Sequence, residues 1–455
     1  MSSALNPSTL VCPERKDIPT EDQWNLSALF PSIEAWEEAF KKISSSLQGK
    51  PLWSPLLSLK GSFAHSAENI KKFLDDYFSI DIKITEIFTY AHLLHDQDVG
   101  EDLPKTCFAK ASFLSHQFKE AFSWFEPEIL SLPPSLWEEY RKSPLLKDYI
   151  LFLEKILRIK QHILSEKEEQ LLARVADALD SSYKIFSAFD NGDLKFPSIV
   201  DQANNSFPLS QGSYGTYLKS PDRTLRKNAY EALHIQYLQH ENMLAETLNG
   251  LVKKHIFLAK TRGFSSCLEA SLFPHNIPTN VYHNLLQTIH DSLKSLHSYI
   301  EKRKKYLGYE NLFLYDLQFP LKEAKNTNFT YAEAVDLVIQ STKVLGSTYQ
   351  SILSKGLSEE GWVDKYENKR KRSGAYSSGC YTSHPYILLN YHSQFRDAMT
   401  LAHEAGHSMH SFLSRKNQPY FSSDYSIFAA EVASTFNEML LLDHLMATNS
   451  SEEFH

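Results

Sequence analysis

Residues 403–407 read His-Glu-Ala-Gly-His. On a helix, positions four apart are rotated by ~40° and separated by ~6 Å along the axis, so the imidazoles of His403 and His407 can reach one ion. Glu404 stands about a quarter-turn round from His403, where its carboxylate can touch a water on that ion. A catalytic zinc takes three protein ligands and keeps a position open for water. A carboxylate beside it can accept the proton of the attacking water and hand it to a leaving amine. The pattern predicts metal-assisted hydrolysis with Glu404 as the general base.

The spacing of the third ligand narrows the choice without closing it. The longer HExxHxxGxxH pattern is excluded, because position 410 is His and position 413 is Leu. His410 shares the helix face but lies ~10.5 Å along the axis from His403, too far to join it on one ion. It is expected to be a buried histidine behind the ligands. Downstream, Tyr425 to Met446 reads as a second helix carrying Glu431 and Glu438 seven residues apart on one face. Either carboxylate could complete a His₂Glu set, a known catalytic zinc arrangement.

These side chains need helices to hold them. Phe395 to Leu413 reads as a helix with Phe395, Met399, Ala402 and Phe412 turned inward. Gly406 weakens it by ~1 kcal/mol relative to Ala, which implies a close neighbour there. Helical periodicity dominates elsewhere too. Ser32 caps a helix with Ile33, Trp36, Phe40 and Ile43 on one face, and Ser165-Glu-Lys-Glu168 is a capping box. Aromatic stripes near 66–96, 105–125 and 145–164 read as core between packed helices. Asp190-Asn-Gly-Asp193 reads as a tight turn, and helices resume over 221–262 and 280–307. A boundary near residue 200 then separates an N-terminal helical domain, 1–200, from a catalytic domain, 201–455. Convincing β character is confined to Gly361–Tyr391, where Gly374-Ala375-Tyr376-Ser377-Ser378-Gly379 and Tyr386–Tyr391 look like short strands. The basic run Lys369-Arg-Lys-Arg372 is expected to be a solvated approach to them.

Composition agrees with a helical enzyme. The 455 residues are 42% hydrophobic and 22% charged, which excludes a disordered chain. Only 15 glycines and 19 prolines occur, too few for a turn-dense all-β protein. A net charge of −8 gives no reason to expect nucleic acid or acidic lipid as a partner. The four cysteines form no CxxC pair, as in a reduced, cytoplasmic protein. Met1–Pro7 lacks the pattern of a secretory signal, and no apolar run reaches the ~18 residues of a membrane span.

The sequence resembles the oligoendopeptidase F group of the M3 zinc oligopeptidases, relatives of thimet oligopeptidase. The resemblance rests on His403-Glu-Ala-Gly-His-Ser-Met-His410, Gln418-Pro-Tyr, and Asp424-Tyr-Ser-Ile-Phe-Ala-Ala-Glu-Val-Ala-Ser-Thr435. Arg372-Ser-Gly-Ala-Tyr-Ser-Ser-Gly379, Leu314-Tyr-Asp-Leu317 and Trp24-Asn-Leu-Ser-Ala-Leu-Phe30 extend it over essentially the whole chain. It implies a mainly α, two-lobed, zincin-like body with a small β-sheet next to the zinc helix, and a deep channel admitting short unfolded peptides. It assigns one Zn²⁺ to His403, His407 and Glu431, which leaves Glu438 to orient a ligand imidazole. It makes Gly374–Gly379 an edge strand against which substrate backbone pairs.

The family continues past its third ligand with a tyrosine and a histidine that line the site and stabilise the oxyanion, whereas this sequence stops 24 residues after Glu431, in the polar tail Asn449–His455. An interrupted catalytic lobe is therefore expected, in which zinc binding survives better than turnover; losing one oxyanion donor costs ~10²–10³ in rate. The leading expectation is a cytoplasmic zinc endopeptidase for short oligopeptides. The alternatives are a zinc-binding but catalytically impaired relative, and a helical peptide-binding scaffold with an incidental HEAGH.

Overall fold

A computed structural model describes residues 12–45, 49–321 and 328–448. The Asn449–His455 tail and the Met1–Pro7 segment lie outside the described residues. Helices carry the architecture. Ser32 accepts from the Ala35 N–H and opens Ile33–Ser44, which buries Trp36 and Ile43. Ser66 caps the 31-residue helix Ala67–Gln97 in the same way. Its apolar stripe packs on Asp102–Ala121, where Phe73, Tyr77, Phe118, Phe122 and Trp124 form a continuous aromatic core. The Ser165/Glu168 box starts Glu166–Leu179.

Three local expectations need correction. Asp190–Asp193 belongs to a wider π-type turn, Phe189–Asp193, closed by the Leu194 N–H on the Phe189 carbonyl at 2.8 Å. The expected helix over 221–262 is two helices, Arg223–Leu238 and Glu241–Thr261. His240 leaves helical geometry between them and its ring packs on Phe189 at 4.8 Å, a tertiary contact no glycine or proline announces. A second small sheet also exists: β1 (Ile199–Val200) pairs antiparallel with β2 (Ser206–Phe207). Two residues per strand are too few for a period of two to register. The helix Thr279–Leu307 begins and ends near the expected residues.

The larger sheet has three strands, β3 (Val363–Asp364), β4 (Tyr376–Ser378) and β5 (Tyr386–Leu388), in the order β3-β5-β4. β3 runs parallel to β5 and β4 antiparallel to it, so β4 is an edge strand. The sheet shares a core with Val335, Trp362, Leu401, Ala405 and Leu441. The first described residues belong to this end of the molecule. The Asp22 carbonyl accepts from the Lys365 N–H, and Trp24 meets Tyr386 edge-on at 6.0 Å.

The basic run is only partly solvated, and its charges are paired with acids from other elements. Lys371 is buried with its ammonium 2.6 Å from Asp364, Arg370 pairs with Asp98 at 2.7 Å, and Arg372 reaches Asp96 at 3.3 Å. The run lies against acids from β3 and from the end of Ala67–Gln97, a placement that charge counting along the chain does not reveal. Lys369, paired with Glu14, is the most exposed of the four, and Arg370 and Arg372 are part-exposed.

Candidate metal centre

The helix Phe395–Asn417 begins where the Asp397 carboxylate accepts from the Gln394 and His392 N–H groups, each at 2.9 Å. Its inner face, Ala398, Leu401, Ala402, Ala405 and Met409, is fully buried or nearly so. The helix Ile427–Thr448 crosses it at Gly406. A Cβ at 406 would lie 2.6 Å from the Ala433 carbonyl oxygen and 2.8 Å from the Ser434 Cα. Only a residue without a side chain permits this crossing, and the crossing delivers Glu431 to the two histidines.

The His403 and His407 Nε2 atoms stand 3.1 Å apart. Glu431 Oε2 lies 3.4 Å from His403 Nε2 and 3.7 Å from His407 Nε2. Ligands ~2.0–2.1 Å from a tetrahedral zinc are about 3.3 Å from one another. The donor set and its spacing therefore fit such an ion, and this is the one group of three or more metal-ligating side chains converging among the described residues. Burial lowers the His407 pKa and the His403 charge adds to the fall, favouring the neutral imidazole that binds metal.

The surrounding groups are equally ordered. His403 Nδ1 is 2.6 Å from Glu438 Oε1, so the ring donates there and turns Nε2 toward the cluster. Glu404 is buried and its Oε2 has no hydrogen-bond partner among the described residues. Burial pushes its carboxyl up to about 7, and the Glu431 charge adds to the rise. The Ser377 backbone N–H faces this carboxyl, and Ser377 Oγ meets Ser408 Oγ at 2.8 Å, which docks β4 on the metal helix.

Other predicted residues stand apart. His410 stacks on Tyr425, with centroids 3.7 Å apart, one turn beyond the cluster. Tyr376 turns its hydroxyl away to donate to Asp96 at 2.9 Å. Ser378 pairs with Tyr386 across the sheet, Gly379 abuts Arg415, and Gly374 and Ala375 line a neighbouring cavity. Sequence reasoning missed Asp96, whose buried carboxylate also meets His92 at 3.0 Å, His95 at 3.2 Å and Arg372. The His92-x-x-His95-Asp96 string was a signal, hidden inside an apolar helix.

The sequence model for peptidase family M3 matches residues 216–455, more than half of the chain, and a model described as Oligopeptidase F matches 128–196. The chain belongs to peptidase family M3. M3 relatives include Oligopeptidase PepF of Bacillus subtilis (strain 168), 41% identical over 97% of this chain and 65% of the relative. An Oligoendopeptidase F homolog of Borreliella burgdorferi is 38% identical over 95% of this chain and 71% of its own. The crystal structure of oligoendopeptidase-F from Enterococcus faecium superposes with a TM-score of 0.65 at 30% identity, covering 92% of this chain and 67% of that one. This M3 chain thus spans about two-thirds of the length of the relatives it matches. M3 peptidases are metalloenzymes, and the His-His-Glu group supplies a matching donor set. No helix among the described residues is long and apolar enough to cross a membrane.

Proposed function

We propose that the chain is a zinc-dependent endopeptidase acting on internal bonds of short, unfolded peptides in the cytoplasm. The observation that carries this reading is the convergence of His403, His407 and Glu431 beside a buried Glu404 carboxyl whose Oε2 is unpartnered among the described residues. The three ligands would hold Zn²⁺, which when bound polarises the scissile carbonyl and acidifies water. Glu404 takes the proton of the attacking water and delivers it to the leaving nitrogen, a role suited to a carboxyl titrating near neutrality. Glu438 positions His403, and the open edge of β4, Gly374–Gly379, receives substrate backbone by strand addition. In this reading residues 1–200 form the helical domain and 201–455 the catalytic one.

The test joins metal analysis to a quenched-fluorescence peptide assay with and without chelator. Glu404→Gln is expected to keep one zinc per chain while hydrolysis falls by roughly 10²–10⁴. Appreciable remaining hydrolysis would reject Glu404 as the base. The alternative reading is a zinc-binding but catalytically impaired form. Full zinc occupancy with no chelator-sensitive cleavage by the unsubstituted chain would select it.

A further inference from the structure

A cavity of about 840 Å³ opens alongside the metal centre, between the Phe189–Asp193 turn, the helix Gln211–Tyr217 and the start of the metal helix. That volume lies in the range of ligand-binding clefts. The cavity shares Gly374 and Ala375 with the approach to β4, so it continues the path a strand-paired peptide would follow.

Its charged side chains are unevenly paired. Lys371, Arg370 and Lys369 on its wall are matched by Asp364, Asp98 and Glu14. Among the acids, Asp397 caps the metal helix, Glu367 faces His392 at 3.0 Å, and Asp190 accepts from the Tyr237 hydroxyl at 2.7 Å. Three lining cations remain. The Lys195 and Arg396 side chains have no hydrogen bond or ion pair among the described residues, and the Lys219 ammonium donates only to the neutral Gln394 side chain at 2.9 Å. Arg396 and Lys219 are near neighbours: burial lowers the Lys219 pKa, Asp397 opposes the fall, and the Arg396 charge adds to it. Three cationic donors without an ion pair, in a cleft whose carboxylates already accept from other groups, favour a ligand that brings its own anionic acceptor.

We propose that this cavity receives acidic side chains of a peptide substrate, with Lys195, Lys219 and Arg396 setting that preference. The proposal rests on the peptidase reading. Arg396 precedes Glu404 by eight residues, or ~12 Å along the helix. An extended peptide advances ~3.3 Å per residue, and the arginine has its own reach, so the favoured carboxylates lie about three to five residues to one side of the scissile bond.

The experiment measures binding of labelled, C-terminally amidated decapeptides to the zinc-loaded full chain carrying Glu404→Gln. A Glu triplet is placed on either side of the central bond and compared with Gln and Lys triplets. The Glu peptide is expected to bind about tenfold more tightly than the Gln peptide, for one placement only. Arg396→Glu and Lys195→Glu, both at exposed positions, should invert the order so that the Lys peptide binds best. Equal binding of the three peptides, or an order unmoved by both reversals, overturns the proposal. A charge order that holds while the unsubstituted zinc-loaded chain cleaves no peptide sinks the peptidase reading and leaves the acidic-ligand site standing.

Discussion

The 2.6 Å contact between His403 Nδ1 and Glu438 decides which imidazole nitrogen is free to bind metal. A carboxylate accepting from Nδ1–H fixes the tautomer and raises the basicity of Nε2. Losing such a partner typically weakens metal affinity 10–100-fold. Glu438→Ala is expected to do so in a chelator competition, with the fold retained. Unchanged affinity and activity would remove Glu438 from the site. Glu431, seven residues earlier on the same helix, reaches both Nε2 atoms instead. Under the proposed function the two glutamates divide the tasks of ligand and orienting acceptor, a division that spacing alone left open.

At the scale of elements, the site exists because two helices cross with almost no separation at Gly406. Gly406→Ala would gain ~1 kcal/mol of helix propensity. Its methyl group would overlap the Ala433 carbonyl, and overpacking of this kind costs about 1–3 kcal/mol. The variant is therefore expected to melt earlier and to hold zinc less tightly, as the partner helix carries Glu431 outward. A rise in stability with unaltered zinc affinity would refute the close crossing. Much of this was legible in the sequence. The histidine spacing, the partner helix and the anomalous glycine are local signals, and their periodicity survives folding. What escaped was tertiary. His240 bends a helix because Phe189 packs on it, β1 and β2 are too short to show alternation, and Lys371 disappears from the surface because Asp364 waits beneath it.

Across the whole molecule, the first described residues meet the three-stranded sheet around one buried carboxylate. Arg15 donates to both Asp364 oxygens, at 2.9 and 2.6 Å, and Lys371 adds a third contact at 2.6 Å. Burial pushes the Asp364 carboxyl up, but Lys371 and Arg15 outweigh it and hold it below the usual carboxylate range. A depressed folded pKa gives stability that is complete above the unfolded value of ~3.9 and is lost as pH falls through the folded one. Urea unfolding at pH 7 and pH 3 should show that loss, and Asp364→Asn should flatten it. At pH 7 the variant should be less stable by about 3–5 kcal/mol, because the fully buried Lys371 ammonium is left without its anionic partner. Equal pH dependence in the two proteins would show that acid acts elsewhere. The Asp96 carboxylate has a different reach. It sits on a helix of the first hundred residues yet grips Tyr376 and Arg372, at and just before the edge strand. Anyone building chimaeras, with the front part of one relative fused to the back part of another, would inherit or lose the alignment of that strand with this single aspartate.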